Sequence, residues 1–165
     1  MRPSALACES CLDNFTRNVR KKQGRHYSGK KKRHTQKGQV IADQISGRIL
    51  ATAFCAGKRH DLALYRRSRT AMLSRIANVA DSGYQGIKRD HANSETPKKK
   101  SKNHPLTVDD RKKNHILARK RMGCEHIMGR LKVFRILSER YRNRRKRFGL
   151  RFNLIAAIHN LEYCK

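Results

Sequence analysis

Residues 76–86 read IANVADSGYQG, and this stretch decides the fold. Its first five residues form a short apolar run, typical of a buried strand, and the glycines that follow end the strand in a loop. Asp81 stands where the strand ends. Ligands gather at the ends of strands in open α/β sheets, where a rigid strand holds a carboxylate still. Asp81 is therefore either a functional carboxylate or the start of an ordinary Asp-Ser-Gly turn, and spacing alone does not separate the two.

The elements upstream of this strand are predicted to be a hairpin and a helix. Residues 40–42 and 49–55 are apolar and β-branched, and a polar turn at residues 43–47 separates them, as in a β-hairpin. A helix is predicted from Leu62 to about Leu73, with Asp61 as its N-terminal cap. Strands that alternate with helices in this way predict an α/β layered domain.

The downstream half is predicted to be mostly helical. Residues 88–105 are polar and basic, which favours a long surface loop that contains at most one short strand. Residues 107–110 have the form of a capping box and open a helical region that extends to Phe134, with Gly123 as a candidate interruption. The last helix is predicted over Phe148–Tyr163. Its apolar residues fall on two neighbouring faces: Leu150, Leu154, Ala157 and Leu161 on one, and Phe148, Phe152 and Ile155 on the other.

The charge balance points to nucleic acid. The 165 residues suffice for one domain, and they carry 41 Lys plus Arg against 12 Asp plus Glu, for a formal net charge of +29. Such a chain repels itself unless an anion neutralises it, and phosphate contacts release counterions. Apolar residues cluster in blocks, which favours a folded domain over disorder. A long apolar run and a signal-peptide pattern are both absent from the sequence, so we expect a cytoplasmic, nucleoid-associated protein with no membrane partner.

The cysteines favour neither disulfides nor zinc. The five are scattered: Cys8, Cys11, Cys55, Cys124 and Cys164. An odd, scattered set does not form a disulfide framework, and a lone Cys-x-x-Cys pair lacks the four ligands of a zinc site.

Four basic runs are candidate phosphate contacts, at residues 30–33, 98–102, 111–121 and 140–147. Such contacts hold DNA or RNA without reading its sequence, whereas the plain alternative is a solvated surface. The residues singled out as DNA-binding are Lys30, Lys31, Lys32, Arg33, Lys98, Lys99, Lys100 and Lys132. The absence of Trp argues against a specialised single-strand stacking platform.

Glu125 is a second candidate carboxylate, within the segment CEHIMGRLKVF at residues 124–134. It borders the apolar stripe of a predicted helix, and Lys132 lies two turns later on the same side. A glutamate for metal and a lysine for phosphate suit a DNA-processing site, although an ordinary surface glutamate is favoured from the residues alone. Two Mg²⁺ ions in such a site require a third carboxylate. Asp61 is better explained as a helix cap.

Six blocks in this order resemble the IS5-type transposases, a group of DDE transposases. They are Tyr27–Thr35, Gly57–Asp61, Ala80–Gly86, Pro97–Lys100, Cys124–His126 with Gly129–Lys132, and Ala156–Leu161. Each block is weak alone, whereas six in sequence are specific. The resemblance covers about residues 20 to 165.

The resemblance implies an RNase H-like mixed sheet flanked by helices, with an Asp-Asp-Glu triad. Asp81 then becomes the second acid and Glu125 the third, and both bind metal, as two Mg²⁺ or Mn²⁺ ions. The implied partner is double-stranded DNA at element ends and target, with a homo-oligomer as a candidate assembly. Residues 27–165 would form the catalytic core, and residues 1–26 a degenerate strand with a basic lead-in.

The chain departs from the family pattern at the first acid. An ungapped alignment places Ser10 at the first acid's position and Asp13 at a family glutamate. We therefore expect a truncated or degenerate first strand at residues 9–13, with Asp13 catalytic only if the register shifts. The leading hypothesis is a transposase for metal-dependent DNA cleavage and strand transfer, expected to be truncated. The alternatives are an inactive DNA-binding remnant and, less consistent with the motif order, a ribosomal-type RNA-binding protein.

Overall fold

The structure is a computed structural model, which describes residues 4–12, 27–28, 33–101, 105–139 and 147–163. Its strands are β1 (Ser4–Leu12), β2 (Tyr27–Ser28), β3 (Arg33–His34), β4 (Gln36–Asp43), β5 (Ile49–Ala56), β6 (Ala77–Ala80) and β7 (Ser94–Glu95). Its α-helices are α1 (Asp61–Ser68), α2 (Val108–Val133), α3 (Arg135–Ser138) and α4 (Phe148–Tyr163), with single 3₁₀ turns at Ser82–Tyr84 and Ile87–Arg89. None of the helices described is long and apolar enough to cross a membrane.

The main sheet is mixed, with the strand order β5-β4-β1-β6-β7. β1 lies in the middle, antiparallel to β4 and parallel to β6, and β6 is parallel to β7. β2 and β3 form a separate two-stranded ribbon. A mixed sheet with helices confirms the predicted α/β class.

The predicted hairpin is β4–β5, and its turn is built around Asp43. The Asp43 carboxylate accepts hydrogen bonds from the Ser46 backbone N–H (2.9 Å) and hydroxyl (2.6 Å). These two hydrogen bonds lower the pKa of the Asp43 carboxyl, and the bond from the Ser46 hydroxyl has the larger effect. Gly47 has a φ of +68°, which glycine adopts without steric cost. The turn residues therefore fix the hairpin locally.

The first strand is longer than expected. β1 spans nine residues and pairs on both sides, instead of a truncated strand at residues 9–13. Its register sets Ala7 opposite Ala80 on β6 and Ser10 opposite Gly38 on β4. Asp13 lies outside the described residues.

Helix α1 corrects two expectations. It ends at Ser68, not near Leu73, because Arg69 takes a left-handed conformation with a φ of 50° and its N–H bonds the Arg66 carbonyl. Its N-cap residue is His60, which makes no side-chain capping bond, and Asp61 is the first helical residue. The Asp61 carboxylate instead pairs with Lys37 on β4. The negative charge of Asp61 is still stabilising there, because the N-terminal end of a helix is positive.

Helix α2 begins with the predicted capping box. Thr107 accepts from the Asp110 N–H (3.1 Å), and the Asp110 carboxylate accepts from the Thr107 N–H (3.2 Å). The helix then continues for 26 residues, so Gly123 does not interrupt it. Tertiary packing of the second half overrides the weak helix propensity of one glycine.

Helices cover both faces of the sheet. On one face Val40, Ala42 and Val79 pack against buried side chains of α2, α3 and α4, including Leu131 and Phe152. On the other face a second cluster combines Ala5, Ile41, Tyr65, Ala80, Tyr84 and Ile87. Successive residues of β4 thus point into opposite cores, as the pleat of a strand requires.

The last helix has the predicted bounds, and only one of its two apolar faces is buried. Phe148, Phe152 and Ile155 are buried in the core. Leu150, Leu154 and Leu161 are exposed, along with Ala157. Asn160 holds the helix to β5 through two hydrogen bonds with the Ile49 backbone, at 2.8 and 2.9 Å.

Candidate active site

Asp81 lies at the carboxyl end of β6 and is the N-cap residue of the first 3₁₀ turn. Its Oδ1 accepts a hydrogen bond from the Ser82 backbone N–H. The side chain remains 41 % exposed. Asp81 therefore begins a turn, as the ordinary interpretation held, and its carboxylate is partly exposed at the end of β6; its functional role stays a prediction.

Buried side chains anchor the turn that carries Asp81. Tyr84 is fully buried, with its ring edge-on to Tyr65 at a centroid distance of 6.5 Å. Gly83 lies against the Asp61 carboxylate so closely that a Cβ there would overlap Oδ2. Ile87 is also fully buried. Packing on both sides of Gly86 therefore holds the Asp81 backbone in place.

Glu125 projects from the middle of α2 and is 61 % exposed. The neighbouring Cys124 and Ile127 are buried against the sheet, which fixes the rotation of the helix about its axis. Glu125, between them in sequence, consequently lies on an exposed face of α2.

Arg121 brings the two acids together. Its Nη1 donates to Asp81 Oδ1 at 2.8 Å, and its Nη2 donates to Glu125 Oε1 at 3.3 Å. The Arg121 side chain is only 16 % exposed. In the sequence, Arg121 is one of several basic residues in the run at residues 111–121. One signal in the sequence predicts its contact with Glu125: Arg121 stands four residues before Glu125, and residues four apart on a helix are neighbours.

The described side chains contain no group of three His, Cys, Asp or Glu placed to hold a metal ion. Two carboxylates that share one cation nevertheless fit the oxygen chemistry of Mg²⁺ or Mn²⁺, which takes one or two carboxylates and keeps several waters. The sheet register shows which residues of β1 lie beside Asp81. Ala7 is opposite Ala80, so Cys8 is level with Asp81 and Ser10 lies two residues further along β1.

The expected DNA contacts are distributed unevenly. Lys132 is exposed and follows Glu125 by seven residues, on the same side of α2. Lys98 pairs with Asp110 at 2.7 Å, and Lys99 and Lys100 are exposed. Lys30–Lys32 fall outside the described residues, and only the backbone of Arg33 is described, in β3.

Comparison with known proteins identifies the family. The family model described as "Transposase DDE domain" matches residues 5–161. The chain belongs to the DDE transposase family. Its curated relatives include the "Probable transposase for insertion sequence element IS702" of Microchaete diplosiphon, 43% identical over 143 residues. That match covers 87% of this chain and 52% of the relative, so the chain spans about half the length of the relative it matches. Solved structures provide no match.

Membership of the DDE transposase family confirms the resemblance found in the sequence at the level of the family. The match begins at residue 5, so β1 belongs to the matched domain. A DNA partner and dependence on divalent metal stay predictions for this chain. The narrower IS5-type grouping stays a prediction, as do the catalytic roles of Asp81, Glu125 and Asp13.

Proposed function

We propose that this chain is the catalytic domain of an insertion-sequence transposase, which cleaves DNA and transfers the cut strand with divalent metal. The observation that carries the proposal is the convergence of Asp81 and Glu125 on one Arg121 guanidinium. The two acids lie far apart in sequence and on different elements. Both carboxylates meet a cation at this point, and carboxylate oxygens are also the ligands that a divalent metal ion prefers.

The strand order supports an RNase H-like fold for this domain. The family resemblance implies a mixed sheet flanked by helices, and here the central strand β1 is antiparallel to β4 on one side and parallel to β6 on the other. The second acid then follows the strand next to β1, and the third lies on a helix packed over the sheet. We assign Asp81, which follows β6, as the second acid and Glu125, which lies on α2, as the third.

Asp81 and Glu125 would hold Mg²⁺ or Mn²⁺ through their carboxylate oxygens. When bound, such ions activate the attacking oxygen and stabilise the leaving oxygen of a phosphoryl displacement. Two ions need a third acid, which we assign to the segment that contains β1 and Asp13. Lys132 would contact a DNA phosphate on the same side of α2. Arg121 balances the two carboxylates in the protein without metal.

Cleavage of DNA tests the proposal directly. We expect the wild type to nick a supercoiled plasmid that carries the ends of the element, when Mg²⁺ or Mn²⁺ is supplied. Asp81→Asn and Glu125→Gln should each reduce the nicking rate by about 100-fold or more, because each removes a metal-binding charge and preserves side-chain shape.

Matched substitutions control for the loss of one charge. Asp90→Asn removes a carboxylate that pairs with Arg66 on the surface, and Glu139→Gln removes one that pairs with Arg135. Both should nick at the wild-type rate. Equal nicking by Asp81→Asn and Asp90→Asn would refute the assignment.

An inactive DNA-binding remnant is the alternative, motivated by Ser10 in place of the first acid. Neither the family match nor the relative favours it. A wild-type protein that binds DNA and never nicks it, at any Mg²⁺ or Mn²⁺ concentration, would overturn the catalytic proposal in favour of this alternative.

A further inference from the structure

A groove opens between residues 95–98 and the first half of α2. Its cavity volume is about 390 Å³. Four lysines line it: Lys88, Lys98, Lys113 and Lys120. Ile116 and Leu117 also line it, and Ile116 is 55% exposed. The groove thus combines a basic rim with an apolar surface.

The wall opposite α2 is held in place by hydrogen bonds to its backbone. The Lys98 N–H donates to Asn114 Oδ1 at 2.9 Å, and Asn114 Nδ2 donates to the Lys98 carbonyl at 3.0 Å. Gln85 Nε2 donates to the Pro97 carbonyl at 2.7 Å. Upstream, β7 pairs with β6. The groove is therefore formed before any ligand arrives, which limits the ordering cost of binding.

The groove starts beside the two acids. Glu95 is opposite Val79, two residues before Asp81, and Gln85 belongs to the turn that Asp81 begins. On α2, Lys120 directly precedes Arg121. At the helical rise of 1.5 Å per residue, Lys113 lies about 18 Å from Glu125 along the axis. A ligand in the groove would thus lead away from the acids over the length of several phosphates.

The charge of the groove suits an anion. Its two carboxylates are already paired, Glu95 with Lys120 at 3.2 Å and Asp110 with Lys98 at 2.7 Å. The Lys98 ammonium holds the pKa of Asp110 below its usual value. Lys88 and Lys113 pair with no carboxylate among the residues that the structure describes, which leaves the lining with two uncompensated positive charges.

We propose that this groove binds the sugar–phosphate backbone of the DNA strand that adjoins the bond held at Asp81 and Glu125, an inference that rests on the proposed function. Lys88 and Lys113 neutralise phosphates, while Ile116 and Leu117 contact the sugars. A second copy of the chain is a poor occupant, because its own net charge is +29. The groove therefore positions the strand on one side of the cleaved bond.

Two double variants with the same change of charge test the proposal. Lys88→Glu with Lys113→Glu alters the groove. Arg89→Glu with Lys112→Glu changes the adjacent residue in each segment, and both of these side chains are exposed outside the groove. Each pair lowers the net charge by four, so general attraction to DNA falls equally. Thermal unfolding followed by circular dichroism verifies that both pairs fold.

The measurement is fluorescence anisotropy with a labelled oligonucleotide of about 30 nucleotides, single-stranded and as a duplex, across a salt series. We expect the groove pair to weaken single-strand binding about tenfold more than the control pair. Its salt slope should also fall by about 1.4 for two lost phosphate contacts on a single strand. Equal weakening and equal slopes for the two pairs would overturn the proposal.

Nicking assays separate failure of the groove from failure of the proposed function. Nicking that depends on Asp81, together with equal DNA binding by both pairs, refutes the groove alone. Selective loss of binding in the groove pair, together with a wild type that never nicks, refutes the proposed catalysis and leaves the groove as a DNA site.

Discussion

At the scale of single residues, Arg121 is the feature that sequence analysis missed. It lies in a run of basic residues from 111 to 121, and nothing in that run indicates which side chain faces the sheet. The structure turns Arg121 toward Asp81, because Cys124 and Ile127 anchor the helix at the correct rotation. One guanidinium then occupies the space between the two acids. It is the internal cation with which a metal ion would compete.

Removal of Arg121 should make metal binding easier. We expect Arg121→Gln to bind Mn²⁺ about threefold to tenfold more tightly without DNA, since the two carboxylates lose their competing cation. Free Mn²⁺ measured by electron paramagnetic resonance gives the affinity. Arg119→Gln, at an exposed position on the same helix, is the control and should bind as the wild type does. Unchanged or weaker binding by Arg121→Gln would contradict the competition.

At the scale of elements, the turn after β6 depends on α1. Asp61 was expected to cap its own helix, and instead its carboxylate pairs with Lys37 and lies against Gly83. Gly83 is therefore needed for a close approach between two elements, in addition to its part in the turn. This contact links the start of α1 to the backbone that carries Asp81.

Substitution of Gly83 should reveal that contact. Gly83→Ala places a methyl group on the Asp61 carboxylate, and we expect a loss of about 1–3 kcal/mol in the free energy of unfolding from overpacking. In the Asp61→Ala background the same substitution should cost clearly less, because the overlapping oxygens are gone. Urea unfolding of the four proteins in a double-mutant cycle gives the coupling. Additive effects would show that the two residues do not meet.

At the scale of the whole molecule, charge opposes folding. A net charge of +29 on 165 residues makes the compact state repel itself, while two apolar clusters on the faces of one sheet hold it together. Bound DNA would lower that repulsion as well as occupy the site.

Salt should therefore stabilise the free protein. We expect Tm to rise by several degrees between about 0.05 and 0.5 M sodium chloride, as the screening length shortens. Differential scanning calorimetry measures the shift. The Arg89→Glu, Lys112→Glu variant carries less net charge and should show a smaller rise. A Tm that falls with salt would mean that attractive ion pairs outweigh the repulsion.

The sequence by itself determined the parts of this protein that neighbouring residues specify. The hairpin turn around Asp43, the capping box at Thr107 and the bounds of α4 were predicted correctly, because turn chemistry, caps and periodicity act over a few residues. The order of the six short motifs also indicated the family, because that order is a property of the sequence alone.

Only the tertiary structure decided what depends on contacts between distant residues. It buried the Phe148 face of α4 and left the Leu150 face exposed, although both faces are apolar. It ended α1 at Ser68 and set β1 in the middle of the sheet. It also turned Arg121 between Asp81 and Glu125. Each of these outcomes depends on which elements pack together, and that choice minimises the free energy of the whole chain rather than of any one segment.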